Sequence, residues 1–152
     1  MIKQDLPKDN PTLNEAIKLV EFIYDEVLTQ FGEFNEEKYN TESKIRRAAN
    51  DIIFYVSQAV GNRTLDTSEY DWSIARKNLI AIKTMYVFAE KRFIEFEPSI
   101  VVRIDKLVSE IDKEIDKSKS EVKYKIEEEL DHWRKKYNIW KEMSEDKPKS
   151  SK

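Results

Sequence analysis

One histidine, no cysteine and two widely separated glycines leave this 152-residue chain with little of the chemistry that builds active sites. His132 stands alone, so no histidine cluster can hold a metal, and no thiolate is present to take its place. The same lack of Cys removes disulfides and thiol nucleophiles. Gly32 and Gly61 are too far apart to form a phosphate-cradling loop. Carboxylates are the remaining option, because paired Asp and Glu on facing helices can hold magnesium. The candidates are Glu36-Glu37 and Glu127-Glu128-Glu129-Asp131. Glu127 and Glu128 flank Ile126 and Leu130, with Lys123, Lys135 and Lys136 close by in sequence, which is the pattern of a solvated, salt-bridged face. His132, next to Trp133, reads as an exposed surface residue. The expectation is a non-enzymatic protein with no catalytic residue, no metal site, no cofactor and no small-molecule substrate.

Charge offers a binding surface instead. Residues 1–42 carry four bases against ten acids, a net of −6. Residues 44–92 carry nine bases against five acids, a net of +4. A chain of net charge −3 can therefore present one basic side. Arg46, Arg47, Arg63, Arg76, Lys77 and Lys83 are the candidate nucleic-acid-binding residues, since such side chains displace counterions from phosphates. Arg76 and Lys83 are seven apart and share one edge of a helix.

The elements that must position these residues are helices. Charged residues make up 38% of the chain and hydrophobic ones 39%, with only 2 Gly and 4 Pro, too little punctuation for a sandwich or barrel. No run of apolar residues is long enough to span a membrane, and MIKQDLPKDNP lacks an apolar leader, so a soluble, cytoplasmic protein is expected. Thr12-Leu13-Asn14-Glu15 has the form of a capping box, opening a first helix with Leu13, Ile17, Val20, Tyr24, Val27, Leu28 and Phe31 on its apolar face and Gly32 at its end. The polar stretch from Glu33 to Thr41 is either loop or the first turns of a second helix. That helix carries Ile45, Ala49, Ile52, Val56 and Ala59 on one face and stops at Gly61. Residues 62–68 read as a loop, with Ser68 capping a third helix whose core face is Trp72, Ala75, Leu79, Ile82, Tyr86, Ala89 and Phe93. Pro98 halts it, and Ser99 is placed to cap a fourth.

The fourth pattern runs from Ile100 through Ile104, Leu107, Ile111, Ile115, Val122, Ile126, Leu130, Trp133 and Tyr137 to Trp140. As one helix it would be about 60 Å long, twice the first helix, at about 1.5 Å per residue. Residues 112–121, DKEIDKSKSE, hold one apolar side chain and mark the expected place for exposure, a bend or a break. The predicted fold is an all-α, antiparallel up-down four-helix bundle over residues 1–117. A C-terminal helical extension, 118–143, and a disordered tail, 144–152, would follow.

The second helix and its sequel carry a resemblance. Lys44-Ile45-Arg46-Arg47-Ala48-Ala49, Asp51-Ile52, Gly61-Asn62-Arg63-Thr64 and Ala75-Arg76-Lys77-Asn78-Leu79 resemble the motifs of a bacterial family of four-helix bundle proteins. The family includes proteins encoded in intervening sequences of large-subunit ribosomal RNA genes and accessory variability proteins of diversity-generating retroelements. The likeness covers about residues 14–116. It departs at Tyr55-Val56-Ser57-Gln58-Ala59, where the family has NIAEG, and at Ile53, where it has proline. The resemblance implies a non-enzymatic bundle, and the retroelement members form basic pentameric rings that bind a reverse transcriptase and its template RNA. A pI near 5.4 departs from such a ring and fits a local basic edge or a protein partner better.

Two functions follow as expectations. One is an accessory protein that binds RNA or a reverse-transcriptase-like partner through its second and third helices. The other is a structural or adaptor protein that self-associates or scaffolds a protein partner without nucleic acid. Surplus apolar residues favour a homo-oligomer: Phe54 and Tyr55 on the second helix, Ile80, Val87 and Ile94 beside the core face of the third, and Trp133 and Trp140 in the extension. The alternative cover for this surface is a C-terminal helix folded back at residues 112–121.

Overall fold

The protein is described by a computed structural model for residues 10–31, 36–61, 65–92, 94–95 and 97–146, with the side chains of 36, 37 and 65–67 excepted. It is all-helical, with no strand among the described residues. The helices are α1 (Pro11–Phe22), α2 (Glu36–Gly61), α3 (Leu65–Glu90) and α4 (Pro98–Glu145). The expected end of the first helix at Gly32, the core position of Phe93 and the tail beyond Asp146 lie outside the described residues.

The cap of α1 is Asn10 and not Thr12. The Asn10 side chain accepts the Leu13 N–H at 3.0 Å, and Pro11 occupies the first helical position, where its missing N–H is no loss. Thr12 is left inside the first turn, buried. After Phe22 the chain widens into a π-helical turn, Ile23–Val27, and then tightens into a 3-10 turn, Leu28–Gln30. The buried face is Leu13, Ala16, Leu19, Val20, Ile23, Val27, Leu28 and Phe31. Ile17 and Tyr24, assigned to that face by spacing, lie at its margin and are only partly buried.

The early turns of α2 absorb part of the polar stretch, which is helical from Glu36. Ile45, Ala49, Ile52 and Val56 are fully enclosed, and Ala48 and Ala59 nearly so. Small alanines on this face allow close approach to α3, the helix α2 packs against most extensively. Ser68 lies inside α3 and does not cap it. Its hydroxyl donates to the Ala59 carbonyl at 3.2 Å, a buried cross-helix bond that satisfies a carbonyl near the end of α2. Trp72, Ala75, Leu79, Ile82, Tyr86 and Ala89 form the buried face of α3, as their spacing requires.

The α3 helix ends at Glu90, well before Pro98. The Ala89 carbonyl accepts the N–H groups of Arg92 (3.0 Å) and Ile94 (3.2 Å), turning the chain so that Ile94 enters the core, 8% exposed. Ile94 is thus a core residue and not an interface residue, because it no longer shares a helix face with Ile80 and Val87. Pro98 opens α4, and the Glu97 carboxylate, in place of Ser99, accepts the Ser99 N–H at 3.4 Å. Tyr86 anchors this connection from below. Its hydroxyl accepts the Glu97 N–H at 2.7 Å and donates toward the Glu95 carbonyl at 3.5 Å. Burial pushes the Tyr86 phenol above its ordinary value, with the nearby charges of Glu97 and Glu90 adding to the effect.

The chain divides into two units, Met1–Ser118 and Lys119–Lys152. In the first, α4 buries Ile100, Ile104, Leu107, Ile111, Ile115 and Ser118. Of the exposure, bend or break expected at 112–121, the segment shows exposure: it is helical throughout, with Lys113, Asp116, Lys117, Lys119 and Ser120 exposed, while Ile115 and Ser118 enter the core. In the second unit, residues 119–145 are helical, Ser144 and Glu145 included, and no described residue is buried.

Truncating Ile52 to Ala should destabilise the protein by about 2–5 kcal/mol in urea unfolding. A second expectation concerns alkali. A phenol held neutral by burial contributes stability that is complete below the unfolded value near 10 and lost as pH rises through the higher folded value. Tyr86→Phe should cost about 1 kcal/mol at neutral pH, and its stability should decline less than that of the parent above about pH 10.

Candidate functional site

The basic edge predicted on α2 and α3 is only partly available to a ligand. On α2, Arg46 lies over the Tyr24 ring with its guanidinium carbon 5.3 Å from the centroid, and Nη2 meets Glu42 Oε1 at 2.6 Å. The hydrogen bond to Glu42 raises the Arg46 pKa further, so its charge is fixed at every working pH. Tyr24 in turn donates to Asn50 Oδ1 at 2.7 Å, which joins the π-turn after α1 to the middle of α2. Arg47 and Lys77 are exposed, and Arg63 lies outside the described residues.

Arg76 and Lys83 face α4. Arg76 Nε meets Asp112 Oδ1 at 2.7 Å, and Lys83 Nζ meets Asp105 Oδ1 at 2.7 Å. Both acids are seven residues apart, as are both bases, so a step of seven along α3 is matched by a step of seven back along α4. All four side chains keep roughly half of their surface in solvent, so each pair contributes only about 0–1 kcal/mol. Their electrostatic effect is larger than their stabilising one. Three of the six basic candidates, Arg46, Arg76 and Lys83, already have a carboxylate partner, and a phosphate would have to compete with it. Sequence reasoning missed these acids although Asp105 and Asp112 repeat the spacing of Arg76 and Lys83.

Elsewhere in the first unit a groove between α1 and α4 is lined by Glu15, Leu19, Arg103, Lys106, Leu107 and Glu110. Its volume of about 210 Å³ is below the range of sites for small organic ligands, and its two acids and two bases balance each other. Arg103 covers the Phe22 ring at 4.9 Å and so helps close the α1 side of α4. Among the described residues, no three His, Asp or Glu side chains are grouped so as to hold a metal ion. No helix among them is long and apolar enough to cross a membrane.

The apolar surface is more pronounced than the basic one. In the first unit Phe54 is 53% exposed and stands edge-on to Tyr55, with ring centroids 5.1 Å apart, while Tyr55 is half-buried against the core. Ile80 and Val87 are exposed on α3 beside Phe88, which the Arg92 guanidinium covers at 5.0 Å. In the second unit Ile126, Leu130, Trp133, Tyr137 and Trp140 are all exposed, the two tryptophans at 64% each. Lys136 Nζ lies 5.2 Å from the Trp133 ring centre, and Tyr137 and Trp140 are 6.1 Å apart. His132 stands edge-on to Trp133 at 6.2 Å. The carboxylates of 127–131 are exposed, and Asp131 pairs loosely with Arg134 at 3.7 Å.

No protein-family model, no curated protein and no solved structure matches this chain.

Neutralising the acids that face the basic edge should reveal how much they mask it. Asp105→Asn combined with Asp112→Asn should elute from heparin at higher salt than the parent, because Arg76 and Lys83 are released toward the sulfates. The same variant should lose no more than about 1 kcal/mol per pair in urea unfolding.

Proposed function

We propose that the protein is a non-enzymatic structural or adaptor element. A four-helix bundle carries a C-terminal helical extension whose apolar stripe joins a protein partner. The observation that carries this reading is the stripe itself: five large apolar side chains, two of them tryptophan, in water along one helical segment. Monomeric soluble proteins rarely leave contiguous apolar surface of this kind without a use. Tryptophan and tyrosine are also the side chains on which protein interfaces most often depend.

An antiparallel up-down arrangement of the bundle is supported by pairs spread over the first unit. Arg76 with Asp112 and Lys83 with Asp105 run α3 against α4. Ser68 with Ala59 brings the start of α3 to the end of α2. Glu15 beside Glu110 and Phe22 beneath Arg103 run α1 against α4. Each helix then reverses the one before it, as short connections favour.

A second reading, an accessory protein for RNA or a reverse transcriptase, draws on Arg46 and Arg47, exposed on α2 within the segment that resembles the bacterial bundle family. Immobilised single-stranded RNA separates the two. The full chain should show no retention above that of an unrelated acidic helical protein at about 50 mM salt. Retention that falls steeply with salt and is abolished by Arg46→Glu with Arg47→Glu would replace the adaptor reading with the nucleic-acid one.

A further inference from the structure

The stripe of the second unit changes rhythm, and its flanking charges change sign. In the first unit the buried positions of α4 from Ile104 through Leu107, Ile111 and Ile115 to Ser118 step by three, four, four and three. That is close to an eleven-residue repeat, which keeps its face on an almost straight helix. From Ile126 through Leu130, Trp133 and Tyr137 to Trp140 the steps are four, three, four and three. That is a strict heptad, the repeat of a left-handed two-stranded coil.

Glu127 and Glu129 flank the first half of the heptad stripe, and Arg134, Lys136 and Lys141 flank the second. Such a helix is acidic on one side of its midpoint and basic on the other, so it is electrostatically complementary to itself when reversed. Resting on the adaptor reading above, we propose that the occupant of this face is a second copy of the same segment, paired antiparallel about a centre between Leu130 and Trp133.

In that register Leu130 meets Trp133 of the second copy, and Ile126 meets its Tyr137. Antiparallel geometry sets like flanking positions against one another, so Glu127 faces Arg134 and Glu129 faces Lys136, each twice by symmetry. All of these cross-chain pairs are of opposite sign. A parallel, in-register pair keeps one attractive type, Glu129 with Arg134, and sets Lys136 against Lys141. Like charges at such positions select against the wrong orientation. Within one chain Arg134 has only the loose pair with Asp131 to give up, both groups being exposed.

Light scattering and cysteine cross-linking on the full chain test this. At tens of micromolar and low salt, the mass should be twice 18.1 kDa. Glu127→Lys with Glu129→Lys should return it to 18.1 kDa with helical circular dichroism unchanged, and adding Arg134→Glu with Lys136→Glu should restore the doubled mass. Because the chain has no Cys, single cysteines are clean probes. Ile126→Cys mixed with Tyr137→Cys should cross-link only between the two variants. Self-cross-linking of Ile126→Cys would overturn the orientation and leave an assembling adaptor. A parent chain at 18.1 kDa throughout would overturn self-pairing, and the face would then serve a different protein. Failure of the adaptor reading itself shows separately, as salt-sensitive RNA retention.

Discussion

The buried ladder of α4, from Ile100 through Ile104, Leu107 and Ile111 to Ile115, is the constraint on which the rest of the first unit depends. Ile100, Ile104 and Ile111 are among the most enclosed side chains in the protein, and α1 and α3 each arrange charge or aromatic surface along the ladder's borders. Arg103 leans over Phe22 on one side, while Asp105 and Asp112 hold Lys83 and Arg76 on the other. Burial of large aliphatic side chains supplies most of the driving force here, because the flanking pairs are half-solvated and individually weak. The pairs act mainly on register. They fix which turn of α3 lies beside which turn of α4, and so which basic groups remain for solvent.

The connection before α4 shows how much local chemistry this docking needs. Three elements meet there without a single glycine. The Ala89 carbonyl ends α3, Ile94 fills the core behind it, and Tyr86 reaches up to hold the Glu97 backbone. Gln30 adds a fourth tie by accepting the Glu95 N–H at 3.0 Å from the end of the α1 segment. Each of these bonds satisfies a backbone group that the turn would otherwise leave unpaired.

Much of this was legible in the chain, and the misses have physical causes. The faces of α2 and α3 follow from spacing alone, since Ile45, Ala49, Ile52, Val56, Leu79, Ile82 and Tyr86 are core residues by both measures. Caps are less legible, because three candidates, Thr12, Ser68 and Ser99, have the right side chains in the wrong backbone setting. Asn10 and Glu97 take the role at two of those starts, and Ser68 spends its hydroxyl on another helix. The segment at 112–121 looked breakable from its polarity. Ile115 and Ser118 recur at helical spacing within it, and that period outweighs composition. Of the basic edge, the residues could be found from type and spacing, but their neutralisation could not, because it depends on a helix distant in sequence. The apolar stripe beyond 119 was visible as a pattern, and its exposure needed the structure.

The π-helical turn at Ile23–Val27 works as a phase shifter. A wide turn holds one residue more than an α-turn, so everything after it is rotated by about 100° relative to an unbroken helix. Gln30 leaves this segment on the side of the α3–α4 connection, while Leu28 and Phe31 stay buried in the core. Closing these same residues into regular α form, with none removed, would strengthen the helix locally. It would also turn Gln30 away from Glu95. Improved local helicity would thus loosen the tertiary structure, and the imperfection in α1 is what keeps two distant parts of the chain in step.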